Sequence, residues 1–183
     1  MAPALRALNG ARVVVLSDVE NPLVGRRGAL CGVWRAKGLR QTMSKALAVR
    51  RWMVGYGRLL DTAIARHGSE VTARARGART FGSVLGVPGA GAAGGLGAAL
   101  LALGAELHSG VETVLDLIGF DERVRDVDLV ITGEGNMDDQ SAAGKAPVGV
   151  ARRAKRYSKP VVAVVGVALT TWMRCMSRAS TWF

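Results

Sequence analysis

Apolar residues along this chain fall in short unbroken runs more often than in alternation. Arg12-Val13-Val14-Val15-Leu16-Ser17, Asp128-Leu129-Val130-Ile131-Thr132 and Lys159-Pro160-Val161-Val162-Ala163-Val164-Val165-Gly166 each read as a buried strand with polar or breaking residues around it. Strands without alternation are expected in a parallel sheet covered on both faces. Between the last two, Val148 to Arg156 predicts a helix, and Pro147 suits its first turn. Strand, helix and strand make one right-handed β–α–β unit. Tyr56 to Ala65 is expected to be helical, with Leu59, Leu60, Ala63 and Ile64 on one face. A second helix is expected over about Leu96 to Leu107, then a helix and connector over Thr113 to Ile118 and Glu122 to Val127. Residues 31–55 follow neither the strand nor the helix period, and the arginine-rich stretch from Arg74 to Arg79 reads as a solvated linker. There are no internal repeats. The fold class that results is α/β.

Two glycine-bearing breaks in this pattern carry the candidate chemistry. After Thr132, the stretch Gly133-Glu134-Gly135-Asn136-Met137-Asp138-Asp139-Gln140 reads as a polar loop with two glycines and three carboxylates. Gly144-Lys145-Ala146-Pro147 then opens the helix. A strand that delivers acids and a lysine to a helix N-terminus is a place to hold a phosphate and its metal. Loop capping is the plain alternative for Glu134 and Asp138. The other break is Val87 to Gly95, where Gly89, Gly91, Gly94 and Gly95 run into the next helix. Backbone amides there can approach an anion closely, and close helix packing explains the same glycines equally well. Asp18 sits at the C-terminal end of the first strand, where open α/β folds place ligand groups, and a turn or cap role is as good a reading. His67, without partners in the pattern, reads as a surface residue.

Composition narrows the classes. The chain has 183 residues, 49% of them hydrophobic, and 24 glycines, which suits a compact α/β protein. Two cysteines give no disulfide framework, so a cytoplasmic setting is expected, and residues 1–16 are too broken by charge for a signal peptide. Thr80 to Ala105 carries no charge, but its eight glycines and Pro88 argue against a membrane span, which needs a steady run of roughly 20 apolar residues. The net charge of +11 raises nucleic-acid binding as an alternative. Its distribution weakens that reading. Residues 31–55 and the end from Thr170 together hold eight cations and no acid, leaving +3 for the rest. The same segments hold all four tryptophans, 34, 52, 172 and 182, and both cysteines, 31 and 175. A dinucleotide-binding oxidoreductase is a further alternative, but Gly133 to Gly135 lacks a third glycine and acids follow it.

Five spaced blocks carry a family resemblance. They are Asp18-Val19-Glu20-Asn21-Pro22-Leu23; Pro88 through Gly97; Val114-Leu115-Asp116 with Phe120-Asp121; Gly133-Glu134-Gly135 with Asp138 and Gln140; and Gly144-Lys145-Ala146-Pro147-Val148-Gly149-Val150-Ala151. In content and order they resemble type I glycerate kinases, over the later half of that family only. Asn136 stands where the family pattern leads one to expect arginine. The resemblance implies two α/β domains, one inserted in the other, with the site in the cleft between them. Residues 1–109 would be part of the inserted domain, and 110–183 the C-terminal half of a truncated Rossmann-like parallel-sheet domain. It further implies ATP, Mg2+ and glycerate as ligands; the lack of a nucleic-acid-binding motif and the broken apolar stretch separately lead us to expect no nucleic acid or membrane partner. Lys145 would neutralise phosphate, while Gly89, Gly91, Gly94, Gly95, Gly133 and Gly135 offer backbone amides. Asp18, Glu134 and Asp138 would bind magnesium or orient the glycerate hydroxyl.

The two odd segments are also where the family pattern lapses. With a permitted codon choice, Cys31 to Arg40 read one base later gives Ala-Val-Tyr-Gly-Ala-Gln-Lys-Gly-Phe, which is similar to the family's continuation. Family-like sequence resumes at Tyr56-Gly57-Arg58-Leu59-Leu60-Asp61 in the printed frame. Thr170 to Phe183 behaves alike when read two bases later. The hypothesis is that single-base insertions or deletions shifted residues 31–55 and everything after Leu169, which would make the chain an impaired family member. Codons in the gene that forbid those alternative frames would overturn it.

Overall fold

The computed structural model describes residues 1–26, 28–29, 43–74, 82–137 and 146–168. The chain divides into two compact units, Met1–His108 and Ser109–Phe183.

The first unit contains helix α1 (Ala2–Leu8), strand β1 (Val14–Ser17), helix α2 (Met43–Arg74), helix α3 (Leu96–Ala102) and strand β2, which begins at Glu106 and runs to Ser109. Its core gathers Leu23, Ala29, Met53, Val84, Ala90, Ala98 and Leu101, with Val49, Tyr56, Leu60 and Ile64 packed against it. Residues 49, 53, 56, 60 and 64 of α2 recur at helical spacing and form its buried stripe. The helix therefore starts well before Tyr56, inside the segment without visible period. Leu59, expected on the buried face, is 71% exposed because it lies one residue off that stripe. Trp52 is 64% exposed and stacks flat on Tyr56, with ring centroids 5.6 Å apart. Two rows of the same helix segment thus behave oppositely, Met53 in the core and Trp52 outside it. His67 is half-buried at the break in α2, where φ is −121°. Asp61 ties α2 to the chain that returns to it, accepting from the Ser83 hydroxyl at 2.6 Å and the Val84 N–H at 2.8 Å.

Helix α3 stops at Ala102, short of the expected Leu107. The amides of Leu103, Gly104 and Ala105 fold back onto carbonyls of Ala99 to Leu101, and Gly104 takes φ +87°, so the helix cannot continue. The released chain becomes β2, which pairs with β1 in a two-stranded sheet. The Glu106 N–H donates to the Val13 carbonyl at 3.0 Å, and the Arg12 guanidinium grips the Glu106 carboxylate at 3.0 and 2.7 Å.

The second unit contains helix α4 (Gly110–Leu117), helix α5 (Phe120–Arg123), strand β3 (Val130–Met137), helix α6 (Ala146–Lys155) and strand β4 (Val161–Ala168). The Ser109 hydroxyl caps α4 by accepting the Glu112 N–H at 3.4 Å. Strands β3 and β4 are parallel, in register from Val130 opposite Val161 to Met137 opposite Ala168. Together with α6 they form the expected β–α–β unit. One expectation is corrected here. Gly133 through Met137 is not a loop but the second half of β3, held straight by its pairing with Val164 through Ala168. On one face Val130 and Val161 pack with Ala151, Ala154 and Tyr157 of α6 and its exit, together with Phe120 and Val124. Gly149 brings α6 close to α4, since a Cβ there would lie 2.6 Å from both methyls of Val111. Among the described residues no helix is long and apolar enough to cross a membrane.

Candidate functional site

The first unit brings the Asp18 turn and the glycine loop together. Asp18 is exposed immediately after β1, in a turn organised by the Ser17 hydroxyl, which accepts the Val19 N–H at 3.3 Å. The chain continues past Val19 to Asn21 and Pro22, which lie against the glycines. The Gly91 N–H donates to the Asn21 carbonyl at 2.8 Å, and the Ala29 N–H to the Pro22 carbonyl at 3.0 Å. A Cβ at Gly91 would overlap the Pro22 carbonyl oxygen, and one at Gly89 would reach within 3.5 Å of the Val19 carbonyl. A Cβ at Gly97 would likewise overlap the Gly89 carbonyl. Close backbone approach is thus a sufficient reason for glycine at 91 and 97.

Much of the loop's hydrogen bonding is turned inward. The amides of Ala90, Ala92, Gly95 and Ala98 donate to the carbonyls of Val87, Gly89, Ala92 and Ala90, respectively, at 2.9–3.1 Å. Ala93, Gly94 and Gly95 take left-handed conformations in succession, at φ +49°, +71° and +106°. For an alanine that conformation costs roughly 1–2 kcal/mol, so the surrounding packing must over-determine it. Ala93 and Gly94 form the exposed lip of the loop, and the space beside Gly94 is open. The hydroxyl of Tyr56 donates to the Gly95 carbonyl at 3.3 Å and ties that lip to α2.

In the second unit, Gly133, Glu134 and Gly135 lie in β3, opposite Val164 and Val165 of β4. Side chains alternate along a strand, so half-buried Glu134 shares the α6-covered face with Val130 and Thr132, while Gly133 and Gly135 look out on the opposite face. A strand–turn–helix dinucleotide motif does not occur at these glycines, because the strand runs straight through them. The connection to α6 leaves from the C-terminal end of β3, the end where open parallel sheets hold ligands. Asp138 and Lys145 belong to that connection and lie outside the described residues.

The residue that sequence reasoning passed over is Arg153. Its side chain is 11% exposed and fans into three carboxylates. Nε and Nη2 donate to the two oxygens of Asp121 at 2.7 and 2.9 Å, and Nη1 donates to Glu112 at 2.8 Å. Nη2 also donates to Asp116. One guanidinium therefore joins α4, α5 and α6, using the planar fork that lysine lacks. Its hydrogen bonds to Asp121, then Asp116 and Glu112, hold it protonated, and they depress the Asp121 carboxyl below the usual carboxylate range. The acids at 112 and 116, one helical turn apart on α4, were a visible signal. Their partner, more than thirty residues away, was not.

Carboxylate oxygens suit magnesium, which takes one or two of them and completes its shell with phosphate and water. Asp18 and Glu134 supply such donors. No cluster of three or more His, Cys, Asp or Glu that could hold a metal occurs among the described residues.

A family model described as the glycerate kinase family matches residues 1–180. Glycerate 2-kinase of Escherichia coli is 46% identical over 153 residues, which are 83% of this chain and 35% of that protein. Glycerate kinase of Bacillus cereus is 42% identical over 160 residues, 87% of this chain and 37% of the relative. In structure, the chain is similar to glycerate kinase 2 from Salmonella typhimurium LT2, with a TM-score of 0.54 and 36% identity, over 90% of this chain and 39% of that one. The chain belongs to the glycerate kinase family and spans a little over a third of the length of the relatives it matches.

Proposed function

We propose that this chain carries part of the machinery for transferring the γ-phosphoryl group of ATP to glycerate. The observation behind this is the family match over residues 1–180, with E. coli glycerate 2-kinase at 46% identity. In-line phosphoryl transfer needs positioning and charge neutralisation more than covalent help from the protein. Lys145, at the entry to α6, neutralises phosphate charge. The loop from Gly89 to Gly95, with its exposed lip at Ala93 and Gly94, offers amides to phosphate oxygens, and Gly133 and Gly135 let ligand approach the end of β3. Asp18, Glu134 and Asp138 take either the magnesium or the glycerate hydroxyl. Magnesium, when bound, supplies charge neutralisation between the phosphates. Residues 1–109 correspond in this reading to the inserted domain, residues 110–183 to half of the Rossmann-like domain, and the setting is the cytoplasm.

By itself the chain is expected to be impaired. The test joins it to the part of E. coli glycerate 2-kinase that it does not match and measures ATP- and glycerate-dependent phosphoryl transfer. The expected result is turnover that falls at least a hundredfold in Lys145→Ala. A joined protein that folds cooperatively and transfers no phosphoryl group to glycerate would overturn the reading.

A further inference from the structure

The outward side of α2 is basic along most of its length. Arg50, Arg51, Arg58 and Arg66 are exposed on it, and none of them forms an ion pair with another described residue. At the helical turn per residue, Arg51 and Arg58 fall on one line, opposite the buried stripe of Val49, Met53 and Leu60. Arg50 and Arg66 flank that line, and the four span roughly 24 Å of helix. Asp61, the one acid of residues 43–69, turns its carboxylate to the Ser83 hydroxyl and the Val84 N–H instead. Clustered cations without counter-charges favour an anionic partner. At the edge of the same side stands Trp52. Its indole lies flat on Tyr56, the planes 6° apart, and the residue is 64% exposed, so the outer face of the ring pair is open. A further planar ring can extend that stack. An acidic peptide would satisfy the guanidinium groups and leave the indole unused. A single nucleic-acid strand uses both, with phosphates on the arginines and a base on Trp52.

We infer that the outward side of α2, with Arg50, Arg51, Arg58 and Arg66 beside the open ring of Trp52, binds single-stranded nucleic acid without sequence preference. The expectation of no nucleic-acid partner rested on the lack of a motif, whereas this inference rests on a juxtaposition that only the folded helix produces. Arg50, Arg51 and Trp52 fall in the segment where the family pattern lapses, so the binding belongs to this chain and not to its family. It is independent of phosphoryl transfer, and its test reads binding alone.

The test titrates the full chain into a short labelled oligothymidylate and follows fluorescence anisotropy at several salt concentrations. Binding in the range of roughly 10⁻⁴ to 10⁻⁶ M is expected, weakening as salt rises. Arg51→Gln combined with Arg58→Gln should flatten the slope of log K against log salt by about 1.4, at roughly 0.7 per charge for a single strand. Trp52→Ala should weaken strand binding about tenfold, leave the salt slope unchanged and remove the quenching of indole fluorescence by the oligonucleotide. The same variant should bind a duplex as the parent does, because paired bases offer no free face. All three side chains are exposed, so both variants should keep the parent's circular dichroism. Absence of strand binding would overturn the inference, as would binding that neither variant changes. Strand binding that survives Trp52→Ala, with polyglutamate competing for the same arginines, would make this side a surface for acidic protein and overturn it as well.

Discussion

The two glycine-rich stretches look alike as sequence and are built in opposite ways. Residues 89–97 form a knot. Gly91 and Gly97 are fixed by backbone groups that press on them, Pro22 on Gly91 and Gly89 on Gly97, and several amides of the stretch close turns on neighbouring carbonyls. Residues 133–135 form a straight strand in which Gly135 is uncrowded while a Cβ at Gly133 would stand 3.1 Å from the Val164 carbonyl, and the surrounding unit is fastened from a distance by the side chain of Arg153. Glycine in the first stretch answers to packing inside the protein. In the second, nothing among the described residues crowds position 135.

That contrast can be broken most severely at Arg153. Replacing it with leucine leaves Glu112, Asp116 and Asp121 facing one another without their cation, and the second unit should lose cooperative unfolding in a denaturant titration followed by circular dichroism. Arg153→Lys, which keeps the charge and loses the fork, should fall between the variant and the parent. A parent-like transition in Arg153→Leu would show that the ion cluster does not fasten the unit. Gly91→Ala comes next. Its methyl meets carbonyl oxygens that cannot swing away, and the cost should be about 1–3 kcal/mol in chemical denaturation.

A subtler effect belongs to pH. Arg153 depresses the Asp121 carboxyl, so the stabilisation from ionised Asp121 is present above the usual carboxylate range near ~4 and is lost as pH falls through the lower folded-state value. Acid titration of the parent should therefore show a loss of stability below about pH 4 that is smaller in Asp121→Asn. Gly135→Ala should be smaller still and of opposite sign. Open space surrounds the new methyl, and the loss of glycine's freedom in the unfolded chain should stabilise by roughly 0.5 kcal/mol in the isolated chain. A destabilisation at 135 matching that at 91 would erase the distinction between the two stretches.

What the sequence disclosed was local. Val161 onward and the Pro147-led helix were legible because a β-branched run and a first-turn proline carry their own signals. Gly133 through Met137 was misread because the glycines look like a break, and only pairing with β4, some thirty residues on, keeps them extended. The start of α2 was hidden for a related reason. Val49 and Met53 are meaningful as a stripe only against the core of Leu23, Val84 and Leu101, and the cationic residues between them blur the period. Helix α3 was drawn too long because Gly104 sits inside an otherwise apolar run. Of the candidate site, the neighbourhood of Asp18 and the glycine loop was readable as two motifs but not as one contact through Asn21. Arg153 had no local signature at all, since its three partners lie 32 to 41 residues away. Residues 31–42 and 169–183, which hold most of the segments read as frame-shifted, lie outside the described residues, while 43–55 lie in α2 and contribute Val49 and Met53 to the first core.

We propose that this chain contributes to a glycerate kinase site and that phosphoryl transfer also needs the portion of its relatives that it does not match. The direct measurement compares the rate of ATP- and glycerate-dependent phosphoryl transfer by the chain alone with that of the chain joined to the unmatched portion of E. coli glycerate 2-kinase. The account predicts turnover in the joined protein at least a thousandfold above the chain alone. Equal rates in the two would contradict it.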